Sequence, residues 1–108
     1  MTAHFANLFA ENIDVSVSFP TWNRRFKSNS FDTYSQEGNN IEIRHSVNQQ
    51  TKGDEFIVQA MVYEYKGCWV GNQVNFGKFN TFADAVFCAE TTKLPEGSVS
   101  QTEAFSLM

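Results

Sequence analysis

Glu55 to Tyr65 is apolar on both alternating sets of positions. Phe56, Val58, Ala60 and Val62 fall on one parity, and Ile57, Met61, Tyr63 and Tyr65 on the other. A run apolar on both faces, bounded by turn residues, predicts a strand central in its sheet. Such a strand needs neighbours on both edges, and the flanking sequence offers them. Ile41, Ile43 and Val47 alternate with Glu42, Arg44 and Ser46, predicting a strand from Ile41 to about Asn48, with His45 on its apolar side. Ile13, Val15, Val17 and Phe19 alternate with Asp14, Ser16 and Ser18, a half-buried strand that Pro20 ends because it has no N–H to donate. Lys66-Gly67 is a two-residue hairpin link, and Cys68 to Phe76 returns as the partner strand. Phe31 to Tyr34 adds a short strand. Glu37 to Asn40 reads as a turn, Gln49 to Asp54 as a polar loop, and Thr21 to Lys27 as an irregular segment.

Two helices complete the pattern. Phe5, Leu8 and Phe9 have helical spacing within Ala3 to Glu11, and Thr2 can cap that segment. The main helix opens at Thr81, with Asp84 three residues on as a capping-box variant suited to the helix dipole. Phe82, Ala85, Val86 and Ala89 form its apolar stripe, Lys93 falls in its last turn and Pro95 stops it. Glu96 to Met108 is polar until Phe105 and Leu107, and either adds an edge strand or stays loose. The sum is a single α+β domain over 1–108: an antiparallel sheet of about five strands, one main C-terminal helix packed on one face, and a short N-terminal helix. The opposite face is then solvated, closed by sheet curvature, or used for binding.

A chain of 108 residues fits one domain. A chain this size can bury roughly two-thirds of its unfolded surface and so can fold without metal or disulfide. Eleven Phe, three Tyr and two Trp supply a dense core. The net charge of −4 argues against broad phosphate binding but leaves room for a local basic patch. Cys68 and Cys88 are too few for a disulfide framework or a zinc set and read as two buried reduced thiols. No cofactor or metal is expected. Met1 to His4 lacks a signal-peptide start, and no apolar run nears the ~18 residues that span a bilayer, so no membrane association and a cytoplasmic location are expected.

Candidate functional residues fall into groups. Trp22, Arg24, Arg25 and Lys27 form a basic segment with interleaved aromatics, able to meet phosphates or an acidic protein surface. The competing reading docks Trp22 and Phe26, four apart, into the core. Tyr63, Tyr65 and Trp69 form an aromatic sheet face that stacks bases, packs on a protein, or simply covers sheet. His4 and His45 are the only histidines, and His45 reads as a satisfied half-buried residue. Glu42, Asp54 and Glu64 carry no mark of catalytic carboxylates. Gly67, Gly71 and Gly77 are spread along a hairpin and make no phosphate cradle.

From Tyr65-Lys66-Gly67-Cys68-Trp69 to Gly77-Lys78-Phe79-Asn80-Thr81-Phe82-Ala83-Asp84-Ala85, a hairpin leads through Gly-x-Phe-x-Thr-Phe-x-x-Ala into a helix. This stretch resembles the sheet-plus-helix DNA-binding modules of phage integrase arms and plant AP2 domains. The resemblance implies the local architecture. It does not carry the DNA contacts, because those modules use basic sheet residues and here Lys66 and Lys78 stand beside Glu55 and Glu64. In size, acidity and lack of a catalytic motif the whole chain is similar to small acidic accessory proteins of phages and mobile elements, of the anti-CRISPR kind. That likeness implies a non-enzymatic inhibitor that sterically blocks a nucleic-acid-handling defence complex. Asp54, Glu55 and Glu64 would face basic partner residues, and exposed aromatics would act as anchors. The alternative is a small nucleic-acid-binding domain using Trp22 to Lys27. The oligomeric state is left open.

Overall fold

The computed structural model describes residues 18–107. The helix expected over Ala3 to Glu11 and most of the strand expected over Ile13 to Phe19 lie outside these residues. The last two positions of that strand, Ser18 and Phe19, are described and are not in a strand. Phe19 instead sets its ring 5.2 Å from that of Phe82.

Five strands follow one another as an antiparallel meander: β1 (Trp22–Lys27), β2 (Phe31–Gln36), β3 (Glu42–Val47), β4 (Asp54–Tyr65) and β5 (Trp69–Phe79). After them come helix α1 (Phe82–Thr91), the two-residue strand β6 (Val99–Ser100) and helix α2 (Gln101–Leu107). β5 lies along β4 from Phe56 to Tyr65, while β3 covers the other edge of β4 only from Asp54 to Gln59. β6 pairs with Val62 and Tyr63 and so continues the lane of β3. β4 is therefore interior to the sheet, as its two apolar faces require.

Trp22 to Lys27 is a strand and not the irregular segment expected. The register shifts between Arg24 and Phe26, leaving Arg25 as a bulge. Trp22, Arg24 and Lys27 thus share one face and Asn23 and Phe26 the other. The extra residue breaks the period-two pattern by which a strand is read.

The core fills the face of the sheet that α1 covers. Trp22, Tyr34, Ile43, Phe56, Val58, Ala60 and Val62 are buried there against Phe82, Ala85, Val86 and Ala89 of α1. Phe82 is the hub, its ring centroid 5.2 Å from Tyr34 and 5.7 Å from Phe56, both edge-on. α1 begins as expected: the Thr81 hydroxyl accepts the Asp84 N–H at 3.2 Å. It ends at Thr91, with Thr92 already extended, so Lys93 lies beyond the last turn.

Three further expectations change. Tyr65 pairs with Trp69, so the hairpin link holds three residues, Lys66, Gly67 and Cys68, with Gly67 at φ +81°. Cys68 is exposed in that link and Cys88 is half-buried on α1, so neither is a buried core thiol. The tail after Pro95 is ordered as β6 and α2. The Ser100 hydroxyl accepts the Glu103 N–H at 3.1 Å, which starts α2 with a Ser-x-x-Glu sequence. Ala104 is buried, and Phe105 sets its ring 5.8 Å from Tyr63. Tyr63 points away from the α1 side, so α2 partly covers the face expected to be bare. Among the described residues, no helix is long and apolar enough to cross a membrane.

Candidate functional site

The far face, opposite α1, carries much of the exposed apolar surface, with Phe87 of α1 and Val70 exposed outside it. Met61, Tyr63 and Tyr65 follow one another on it because alternate strand residues share a face. Trp69, paired across from Tyr65, sets its ring 5.4 Å from it. Gly71, across from Tyr63, leaves room for the Tyr63 ring to lie over β5. Phe105 then packs edge-on against Tyr63. Met61 is 42% exposed and Tyr65 65% on β4, and Phe105 is 55% and Leu107 61% exposed on α2.

Beside this patch, α2 and the sheet bound a polar groove of about 620 Å³, with Arg25, Ser35, Glu42, Met61 and Glu103 in its wall. Arg25 reaches Glu42 at 3.5 Å across it. Further along the same face the Arg44 guanidinium lies 4.3 Å from the centroid of Phe31, whose ring also meets Phe26 at 5.4 Å.

The structure divides the other residues expected to bind a partner. Trp22 is buried, and its indole N–H donates to Glu90 of α1 at 3.1 Å, so it anchors the core and cannot anchor a partner. Phe26, expected beside it in the core, is exposed. The bulge sends Arg24 and Lys27 to the α1 side of the sheet, where they lie across from Tyr34 and Asp32, and Arg25 to the far side. The three cations therefore do not form one basic patch. The acidic residues are engaged within the chain. Asp54 accepts a hydrogen bond from His45, Glu55 accepts one from Asn48 at 2.8 Å and pairs with Lys78 at 3.7 Å, and Glu64 pairs with Lys66 at 3.8 Å.

A polar cluster that sequence spacing did not bring together sits at the end of the core. His45 is fully buried, not half-buried, with Nε2 2.7 Å from Asp54 Oδ1 and its ring stacked 4.5 Å over Phe56. Asp32, also buried, lies across the ladder from His45. Burial holds the His45 imidazole below its ordinary value, against the opposing pull of the Asp54 hydrogen bond. Burial likewise raises the Asp32 carboxyl, with Arg24, His45 and Lys27 pulling the other way. The arrangement sets one buried imidazole beside two carboxylates, one on each neighbouring strand. The signal in the sequence was His45 on the apolar parity of β3. Its partner became visible only once the register placed Val47 opposite Asp54.

Among the described residues, no group of histidine, cysteine and carboxylate side chains is placed to hold a metal ion. Comparison with protein-family models, with curated proteins and with solved structures returns no match.

Proposed function

We propose that this chain is a non-enzymatic protein-binding module that docks through the far face of its sheet. The single observation behind this reading is the set of exposed apolar side chains Met61, Tyr65, Phe105 and Leu107, with Phe105 packed on Tyr63 and Tyr65 on Trp69. Aromatic side chains on a rigid strand anchor partners at low entropic cost, and a polar groove at the margin supplies hydrogen bonds at a rim. The specific form of the proposal is steric inhibition of a nucleic-acid-handling defence complex by a phage or mobile-element protein, supported by small size and the net charge of −4. Because Asp54, Glu55 and Glu64 are paired within the chain, the aromatic patch is the contact and overall charge contributes only steering. The test is a pull-down from host lysate with the wild type and with Tyr65→Ser/Phe105→Ser, both exposed positions. The expected result is one stoichiometric partner that the double variant loses. Absence of a stoichiometric partner, or capture that ignores both substitutions, overturns the proposal.

A further inference from the structure

The two long edges of the sheet are built differently. β1 carries Arg24, Arg25 and Lys27 and a bulge, devices that keep an edge strand from pairing with another chain. β5 lies at the opposite edge and pairs only with β4 among the described residues. From Trp69 to Asn75 it has no charge, no proline and no register shift against β4. The shift comes only after Gln59 pairs with Asn75, where Phe76 is the extra residue. The cations flanking this stretch each have a carboxylate beside them, Glu64 at 3.8 Å from Lys66 and Glu55 at 3.7 Å from Lys78. A regular, uncharged edge strand offers a row of backbone donors and acceptors, and over Trp69 to Asn75 a second such strand sets no like charges opposite each other.

We propose that the edge of β5 left unpaired among the described residues pairs antiparallel with β5 of a second copy of this chain, about a two-fold axis at Asn72. This register uses the whole regular stretch, Trp69 to Asn75, and nothing beyond it. It sets Val70 of one copy against Val74 of the other twice, on the α1 side of the joined sheet, covering the exposed part of Val70 with a β-branched partner. Gly71 faces Gln73 and Trp69 faces Asn75 on the far side, so the bulky indole meets an amide and not another ring. The contact is isologous, as a two-fold dimer requires. The result is one continuous sheet of two meanders, with the two aromatic patches on the same far side.

The experiment is light scattering on size-separated wild-type chain, together with amide hydrogen exchange over β5. The expected mass is twice the 12.3 kDa of one chain. The outward-facing amides of Trp69 to Asn75 should gain protection as concentration rises. Asn72→Lys sets two ammonium groups face to face at the axis and should raise the dissociation constant by at least about tenfold, with the circular dichroism unchanged. Gln73→Lys, on the far side, sets the two ammonium groups on a diagonal across the axis and should weaken the dimer in the same direction but by less. In a Cys68→Ser background, Asn72→Cys should cross-link to itself on oxidation, since opposed Cα atoms about 4.5–5.5 Å apart suit a disulfide. A chain that is monomeric at every concentration overturns the proposal. So does a dimer indifferent to both lysines, or full protection of the β5 amides in the monomer. Protection that appears only when an extended peptide is added overturns it in favour of strand addition by a different partner.

Discussion

Replacing Gly71 with alanine should destabilise this protein, although the same change in an ordinary strand stabilises one. Gly71 is not among the glycines at positive φ, so alanine meets no backbone penalty there. Reduced freedom of the unfolded chain would then contribute about 0.4–1 kcal/mol in favour of the variant. Against this, the added Cβ falls 2.8 Å from Cε2 and 2.9 Å from Cζ of Tyr63. That ring cannot simply swing away, because Phe105 packs on it from α2. Forced overpacking of this kind costs about 1–3 kcal/mol. Steric cost wins, and the net expectation is a loss of about 1 kcal/mol, or roughly 4–8 °C in melting temperature. Removing the obstacle should reverse the sign: in a Tyr63→Ala background, Gly71→Ala should stabilise by about 0.5 kcal/mol. The two measurements form a double-mutant cycle with a coupling of about 1.5 kcal/mol. Urea denaturation of the four chains measures it. A neutral or stabilising effect of Gly71→Ala in the wild type, or the same effect in both backgrounds, would refute the claim that Tyr63 is clamped between β5 and α2.

Other outcomes follow from the same contacts. Trp22→Phe keeps the aromatic filling but removes the donor to Glu90, and should cost about 1–2 kcal/mol in urea denaturation. Thr81→Ala removes the hydroxyl that caps α1 and should cost about 1 kcal/mol, with a matching loss of thermal stability. Because the folded state holds the His45 pKa below its ordinary 6.5, the unfolded chain takes up that proton first as pH falls. Stability from His45 should be complete above about 6.5 and decline as pH drops toward the lowered folded value. Asp32 acts with the opposite sign: its raised pKa favours the fold at low pH and loses that contribution as pH rises through it. The His45 profile is therefore measured by denaturation across pH in an Asp32→Asn background, and His45→Gln should flatten it. A flat profile before the His45 change would refute the burial argument.

Elements that rest on local periodicity were legible from the sequence. β4 follows from its two apolar parities, β3 from Ile41 and Ile43, and α1 from the Thr81 cap and the Phe82 stripe. What escaped depends on longer-range geometry. The bulge at Arg25 erased the alternation of β1, so a strand looked like a loop. α2 is seven residues long, too short to hold as a helix alone, and it exists because Ala104 and Phe105 find β4. The basic segment reads as one patch because its residues are adjacent in sequence, yet pairing sends them to opposite faces. The pairing of His45 with Asp54 needed the β3–β4 register, which no spacing rule supplies. The aromatic face of Tyr63, Tyr65 and Trp69 was readable because all three sit in regular strand next to a tight hairpin.

The short return of β6 to β4 also orders events in time. The five-strand meander grows by neighbouring hairpins, each closing a short loop, so most of the sheet can assemble from local contacts. Ser100 must instead find Val62 across the whole of β5 and α1. That closure yields little until the β4 edge beyond β3 already exists, so β6 and α2 are expected to form last and open first, an order that amide hydrogen exchange reads directly. In that order α2 would act as a latch on the finished sheet. Opening it would bare the Tyr63 ring and the upper edge of β4 together while leaving the core around Phe82 intact.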